Sequence, residues 1–122
     1  MAYSKMHKLV DLLAKRTEEG EIDWKETPKS NSYQADFTNY SLIISLGTSS
    51  RSGEGEPLYI LNIIGPTGAT IESVDDEELS SQSPENSYYT RMKEIYEIAR
   101  RRASGADAAI DALIDDLSDI PF

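Results

Sequence analysis

The segment Leu58-Tyr59-Ile60-Leu61-Asn62-Ile63-Ile64 is almost wholly apolar and runs into the turn residues Gly65-Pro66-Thr67-Gly68. A short apolar run of this kind reads as a central strand covered on both faces. Such a strand needs neighbours, and the flanking sequence offers them. Upstream, Tyr33, Ala35 and Phe37 alternate with Gln34 and Asp36, and Tyr40, Leu42, Ile44 and Leu46 share one face of a second strand. Successive side chains of a strand point to opposite faces, so each set lines one side. Thr38-Asn39 stands between them as a tight turn. Gly47 to Pro57 has the composition of a loop, and Ala69 to Val74 is the return strand. The expected sheet is a four-stranded antiparallel meander.

Helical patterns flank this block. Met6, Leu9, Val10, Leu13 and Thr17 recur at i, i+3, i+4 spacing, with Leu12 and Ala14 beside them. Gly20 suits the position just past a helix end. Glu21-Ile22-Asp23 then leads onto the sheet through Trp24, the only tryptophan and a natural buried anchor, and Pro28 to Ser32 is loop-like. Asp75 to Leu79 has the acidic first turn of a short helix, and Ser80 to Ser87 is a polar connector. Tyr88, Met92, Ile95 and Ala99 form the stripe of a long helix that ends in Arg100-Arg101-Arg102. Ser104-Gly105 breaks the chain, and Asp107 to about Leu117 is a last helix with Ile110, Leu113, Ile114 and Leu117 on its apolar side. The expectation is an α+β fold: an N-terminal helix, about four antiparallel strands, and two C-terminal helices packed on one face. Residues 1–122 make one domain, and 117–122 is a candidate acidic and apolar docking tail.

This layout resembles a group of small, largely uncharacterised bacterial α+β proteins. The resemblance is carried by Leu12-Leu13, Gly20-Glu21-Ile22-Asp23-Trp24, Tyr33-Gln34-Ala35-Asp36-Phe37 with Asn39-Tyr40, Glu94 to Arg101, Gly105-Ala106-Asp107 and Ile110-Asp111. It implies the same order of helix, sheet and helices. It implies no activity.

The net charge is −10, and it is unevenly placed. Residues 52–90 carry eight acids and no Lys or Arg, whereas residues 91–102 carry five bases and two acids. Residues 103–122 carry five Asp and no base. Direct nucleic-acid binding is not expected, because phosphate contacts are made mainly by Lys and Arg. A basic partner protein suits the surface better. There is no cysteine, which removes disulfides and thiolate metal sites. No run approaches the roughly 20 apolar residues of a spanning helix, and no membrane role is expected. Residues 1–8 lack the apolar core of a signal peptide, so the expected location is cytoplasmic.

No catalytic set stands out, and the expected class is non-enzymatic, with no cofactor and no metal. His7 is the only histidine and reads as a surface or helix-edge residue. Gly53-Glu54-Gly55-Glu56 carries acids that would repel phosphate. Glu18/Glu19, Asp75/Asp76 and Glu77/Glu78 lie in stretches that read as solvated rather than as catalytic pairs. Arg100, Arg101 and Arg102 favour the negative end of the helix dipole, and Glu97 is spaced to pair with Arg100 and Arg101. The same arginines could hold an anion or the acidic tail.

The C-terminal segment is the strongest functional candidate. Asp107, Asp111 and Asp115 repeat at i+4, and Asp115 and Asp116 sit where the helix dipole is negative. Each like-charge pair costs a few tenths of a kcal/mol. The ending Asp119-Ile120-Pro121-Phe122 resembles the tip of bacterial single-stranded DNA-binding proteins. That resemblance implies docking on genome-maintenance enzymes: Phe122 as anchor, Pro121 stiffening the approach, Ile120 packing beside it, and Asp115, Asp116 and Asp119 steering toward a basic ridge. Leu117-Ser118 interrupts the acidic run, no Gly/Pro/Gln linker precedes the tip, and no single-strand-binding surface accompanies it. The alternative for the tip is that Ile120 and Phe122 close the chain's own core.

The expected function is thus an interaction or regulatory module. Its acidic end would dock on a basic pocket of a DNA replication, repair or defence protein. A second reading is an acidic inhibitor of phage type that imitates DNA, motivated by residues 52–90. A third is a small-ligand-binding protein with a pocket near Tyr88, Tyr89 or Tyr96. The sequence leaves the oligomeric state open.

Overall fold

The computed structural model describes residues 2–48, 57–81 and 88–119. Helix α1 spans Ala2–Glu18 and is followed by strands β1 Lys25–Glu26, β2 Ser32–Asp36, β3 Ser41–Thr48, β4 Pro57–Ile64 and β5 Thr70–Asp75. Among the described residues three helices follow: α2 Asp76–Ser81, α3 Tyr88–Ala103 and α4 Ala106–Ser118. The strands form one sheet in the order β1-β2-β3-β4-β5, every neighbouring pair antiparallel. The architecture is the expected α+β meander with one strand more. β1 adds only Lys25 opposite Gln34 and Glu26 opposite Tyr33. Two charged, exposed residues have no apolar period, so only backbone pairing reveals this strand.

Register explains the core. Tyr33 stands opposite Ile44, Ile44 opposite Leu61 and Leu61 opposite Val74, so the four residues line one face. Against it α3 sets Met92, Ile95 and Ala99, α1 sets Val10, Leu13 and Ala14, and α2 adds Leu79. Burying each large aliphatic side chain contributes about 1.5–3 kcal/mol. Trp24 is the expected anchor at 2% exposure, and its Nε1–H donates to Thr17 Oγ1 at 3.3 Å. That bond satisfies a buried hydroxyl on the core side of α1. β4 differs from the expectation of a strand covered on both faces: Tyr59 and Leu61 are buried, while Leu58, Ile60 and Asn62 are half-buried. The core cluster draws on one side of β4 only.

Polar ties lock the helices together. An Arg91–Asp11 ion pair joins α3 to α1. His7, in the Nε2–H tautomer, donates to the Leu79 carbonyl at 2.9 Å, and its ring lies 4.7 Å from that of Tyr88. The lone histidine therefore tethers α1 to α2 and α3. Gly20 ends α1 with φ 75°, and a Cβ there would stand 3.3 Å from the Arg102 guanidinium. α1 and α3 thus run side by side and finish near each other.

The last helix departs from expectation. It was expected to pack on the body, and every residue from Ala108 to Asp119 is instead exposed. Only Ser104-Gly105 separates it from α3, and Gly105 takes the left-handed conformation at φ 77°. Glycine adopts this without a Cβ penalty, so the turn costs little. The covered face of the sheet is already filled by α1, α2 and α3, and the turn sends α4 away from it.

Candidate functional site

Residue spacing alone gives α4 its shape. Ile110, Leu113, Ile114 and Leu117 fall on one stripe, and they stand 51%, 58%, 55% and 60% exposed. A soluble helix normally turns such a stripe inward. Here four adjacent large aliphatic residues are left exposed, and contiguous apolar patches of this kind are uncommon on soluble domains. Asp111, Asp115 and Asp116 flank the stripe, and Asp119 caps the helix end, its N–H donating to the Asp115 carbonyl at 3.2 Å. No Lys or Arg lies between Ala106 and Asp119. α4 is an acidic amphipathic helix held clear of the body.

The other candidate residues are spread more widely. Asp115, Asp116 and Asp119 share the exposed helix, whereas Ile120, Pro121 and Phe122 lie outside the described residues. Arg100 Nη2 pairs with Glu97 at 3.1 Å, and the spaced partner Arg101 instead lines an open groove with Glu18, Lys93 and Glu94. Arg102 reaches back toward Gly20. Among the described residues none of the three arginines pairs with an aspartate of α4, so the structure does not bring the arginine cluster and the acidic tail together.

A second surface escaped the sequence reading. Leu9, Leu12, Leu13, Arg16, Ile22, Phe37 and Leu42 line an open, almost wholly apolar dent of about 150 Å³. Leu12 and Phe37 are each 48% exposed beside it. Along α1 the positions three and four residues either side of Leu12 are Lys8, Leu9, Lys15 and Arg16, so bases ring the exposed leucine. Arg16 bridges to Glu21 at 2.9 Å, and Lys8 and Lys15 make no ion pair among the described residues. The available signal was Leu12 itself, which falls off the buried stripe among cations.

Of the three tyrosines expected near a ligand pocket, Tyr88 and Tyr96 are core packing residues and Tyr89 is half-buried. Tyr88 and Tyr96 are each 3% exposed. Tyr33, Tyr96, Tyr59 and Tyr89 form a ladder with ring centroids 5.4–5.5 Å apart. Burial pushes the Tyr96 phenol up to about 12 and raises those of Tyr59 and Tyr88. Tyr89, Pro57, Asp76 and Glu77 line another open depression. Asp76 is 5% exposed, and burial raises its carboxyl from the ordinary aspartate value. Its Oδ1 accepts the Tyr59 N–H at 2.7 Å, just where the β4–β5 ladder stops at Ile60 and Asp75. The carboxylate thus completes a backbone bond.

Among the described residues no His, Asp or Glu cluster could hold a metal ion, and no helix is long and apolar enough to cross a membrane. No protein-family model, curated protein or solved structure matches the chain. The site's meaning rests on its own chemistry.

Proposed function

We propose that this chain is a protein-interaction module that docks an acidic amphipathic helix, α4, into an apolar groove with a basic rim. The observation that carries the reading is the stripe Ile110, Leu113, Ile114 and Leu117, more than half exposed and flanked by aspartates. Helix-in-groove recognition uses anchors at this i, i+3, i+4, i+7 spacing. The aspartates Asp115, Asp116 and Asp119 steer the helix toward positive charge and select against acidic competitors. In sequence, Ile120, Pro121 and Phe122 continue the apolar chemistry after Asp119. A basic groove on a protein that handles nucleic acid offers the complementary surface, and the module then recruits that protein or competes for its groove. It needs no cofactor and no catalytic residue.

The test is affinity capture with the full chain, with Leu113→Asp, and with a chain lacking residues 120–122. Capture of a basic protein should fall at least tenfold with Leu113→Asp and weaken with rising salt. Retention by Leu113→Asp overturns the reading. If the shortened chain also loses capture at an unchanged melting temperature, the tip is part of the docking element; a large loss of stability would make it core.

A further inference from the structure

We infer that the dent on α1 receives α4 of a second copy, so that the chain pairs with itself by exchanging its last helix. The inference rests on the reading that α4 docks in an apolar groove with a basic rim, and this chain carries such a groove. Leu9, Leu12 and Leu42 supply an apolar floor, with Phe37 at its edge. Arg16 lines the dent but is bridged to Glu19 and Glu21, so the free positive charge beside it comes from Lys8 and Lys15, one turn either side of Leu12 on α1. The α4 stripe is apolar and its borders are acidic, so both the apolar and the charged parts of the two surfaces match.

Other occupants fit less well. Two α4 helices packed on each other would bring aspartates together with no base on either helix. The chain's own α4 does not line the dent, and the two-residue connector Ser104-Gly105 holds it outward. Exchange of an identical element between copies is a low-cost route to a dimer, especially across a short hinge. Area points the same way. A stable interface buries about 1,200–2,000 Å² in total, more than a single helix stripe supplies, and a two-fold exchange counts each docking twice. The charge of −10 on each copy does not forbid pairing. At physiological salt charges beyond about 8 Å are largely screened, while the Lys–Asp contacts would be close. Self-pairing would also hide the stripe until a partner with a deeper groove competes for it.

The test is sedimentation velocity on the full chain over a wide concentration range, with far-UV circular dichroism to check folding. The wild-type chain should show a reversible monomer–dimer equilibrium. Leu113→Asp on α4 and Leu12→Glu in the dent should each raise the dimer Kd at least tenfold, and Lys8→Glu with Lys15→Glu should do the same without touching an apolar side chain. An equal mixture of Leu113→Asp and Leu12→Glu should associate more tightly than either alone, because one copy keeps the helix and the other the dent. A chain that stays monomeric throughout, a dimer that none of these variants weakens, or a mixture no better than its parts overturns the inference. Leu12→Glu separates this outcome from the broader reading: it should lose self-pairing and still capture the basic partner that Leu113→Asp loses.

Discussion

Helices α3 and α4 follow one another across two residues and carry the same kind of apolar stripe, yet they end in opposite surroundings. Met92, Ile95 and Ala99 of α3 are wholly buried, whereas Ile110, Leu113, Ile114 and Leu117 of α4 are more than half exposed. Periodicity is equally clear in both. What differs is what lies opposite. α3 meets a sheet face whose Ile44 and Leu61 need covering, and α4 leaves the body at a left-handed glycine after that face is filled. A stripe at helical spacing states that a helix will form and which side wants to be dry. It does not state whether the cover comes from the same chain.

The comparison breaks most directly under hydrogen exchange. Amides in the middle of α3 should open only with global unfolding, which for a domain of this size costs about 5–15 kcal/mol. Those of α4, a 13-residue helix without a tertiary cover, should exchange almost freely in dilute solution. Strong protection of α4 at low concentration would show that it is docked on its own body. Core truncation comes next: Ile95→Ala should cost about 2–5 kcal/mol in urea unfolding, and Leu113→Ala should stay within about 0.5 kcal/mol.

Two glycines sharpen the contrast further. Gly20 and Gly105 have φ of 75° and 77°, so alanine is strained at both. Gly20→Ala should lower global stability by about 1–2 kcal/mol, because the turn beside it holds α1 against Trp24 and Arg102. Gly105→Ala carries a similar local penalty, which should leave the unfolding of the body unchanged and appear only as altered α4 helicity.

The smallest effect is a pH dependence confined to the body. Burial raises the folded-state Asp76 carboxyl above its usual 3.8, and the Tyr59 N–H only partly counters this. The folded chain therefore keeps this proton to higher pH than the unfolded chain does. The resulting stability is full below 3.8 and is lost as pH rises through the raised value. Asp36 behaves oppositely: hydrogen bonds from Gln34 and then Ser41 lower its carboxyl, so its contribution is present above 3.8 and lost as pH falls through the folded value. Asp76→Asn should remove the falling limb in acid-range thermal melts and leave the Asp36 limb. A limb unchanged in Asp76→Asn would assign it to another group.

Much of the body was legible in the sequence. Alternation placed Ala35, Leu42 and Ile44 on the core face, Thr38-Asn39 closes its hairpin with the Phe37 N–H on the Tyr40 carbonyl at 2.8 Å, and Trp24 is buried as its isolation suggested. These features follow from local period and turn chemistry. Three things did not. β1 is held by backbone pairing between charged residues. Phe37 kept the core-side alternation but stands past the end of β2, at the rim of the dent rather than in the core. The fate of α4 depended on how much of the sheet the other helices had already covered. Of the candidate site, Asp115 and Asp116 were legible, with Asp107 and Asp111, as a charge pattern opposed by their own helix, and Asp119 only through the resemblance of the tip; the dent was not legible, because α1, the β2–β3 turn and β3 meet there only after folding.

The position of Trp24 has a practical side. The chain's one indole sits at the seam between α1 and the sheet, and no Trp or Tyr occurs in α4. Intrinsic fluorescence is therefore blind to the last helix, whereas circular dichroism at 222 nm sums over every helix. The protein carries its own two-channel readout: on heating, ellipticity should begin to fade while the emission maximum holds still, and the gap between the two curves measures how much of the molecule is living outside its own core.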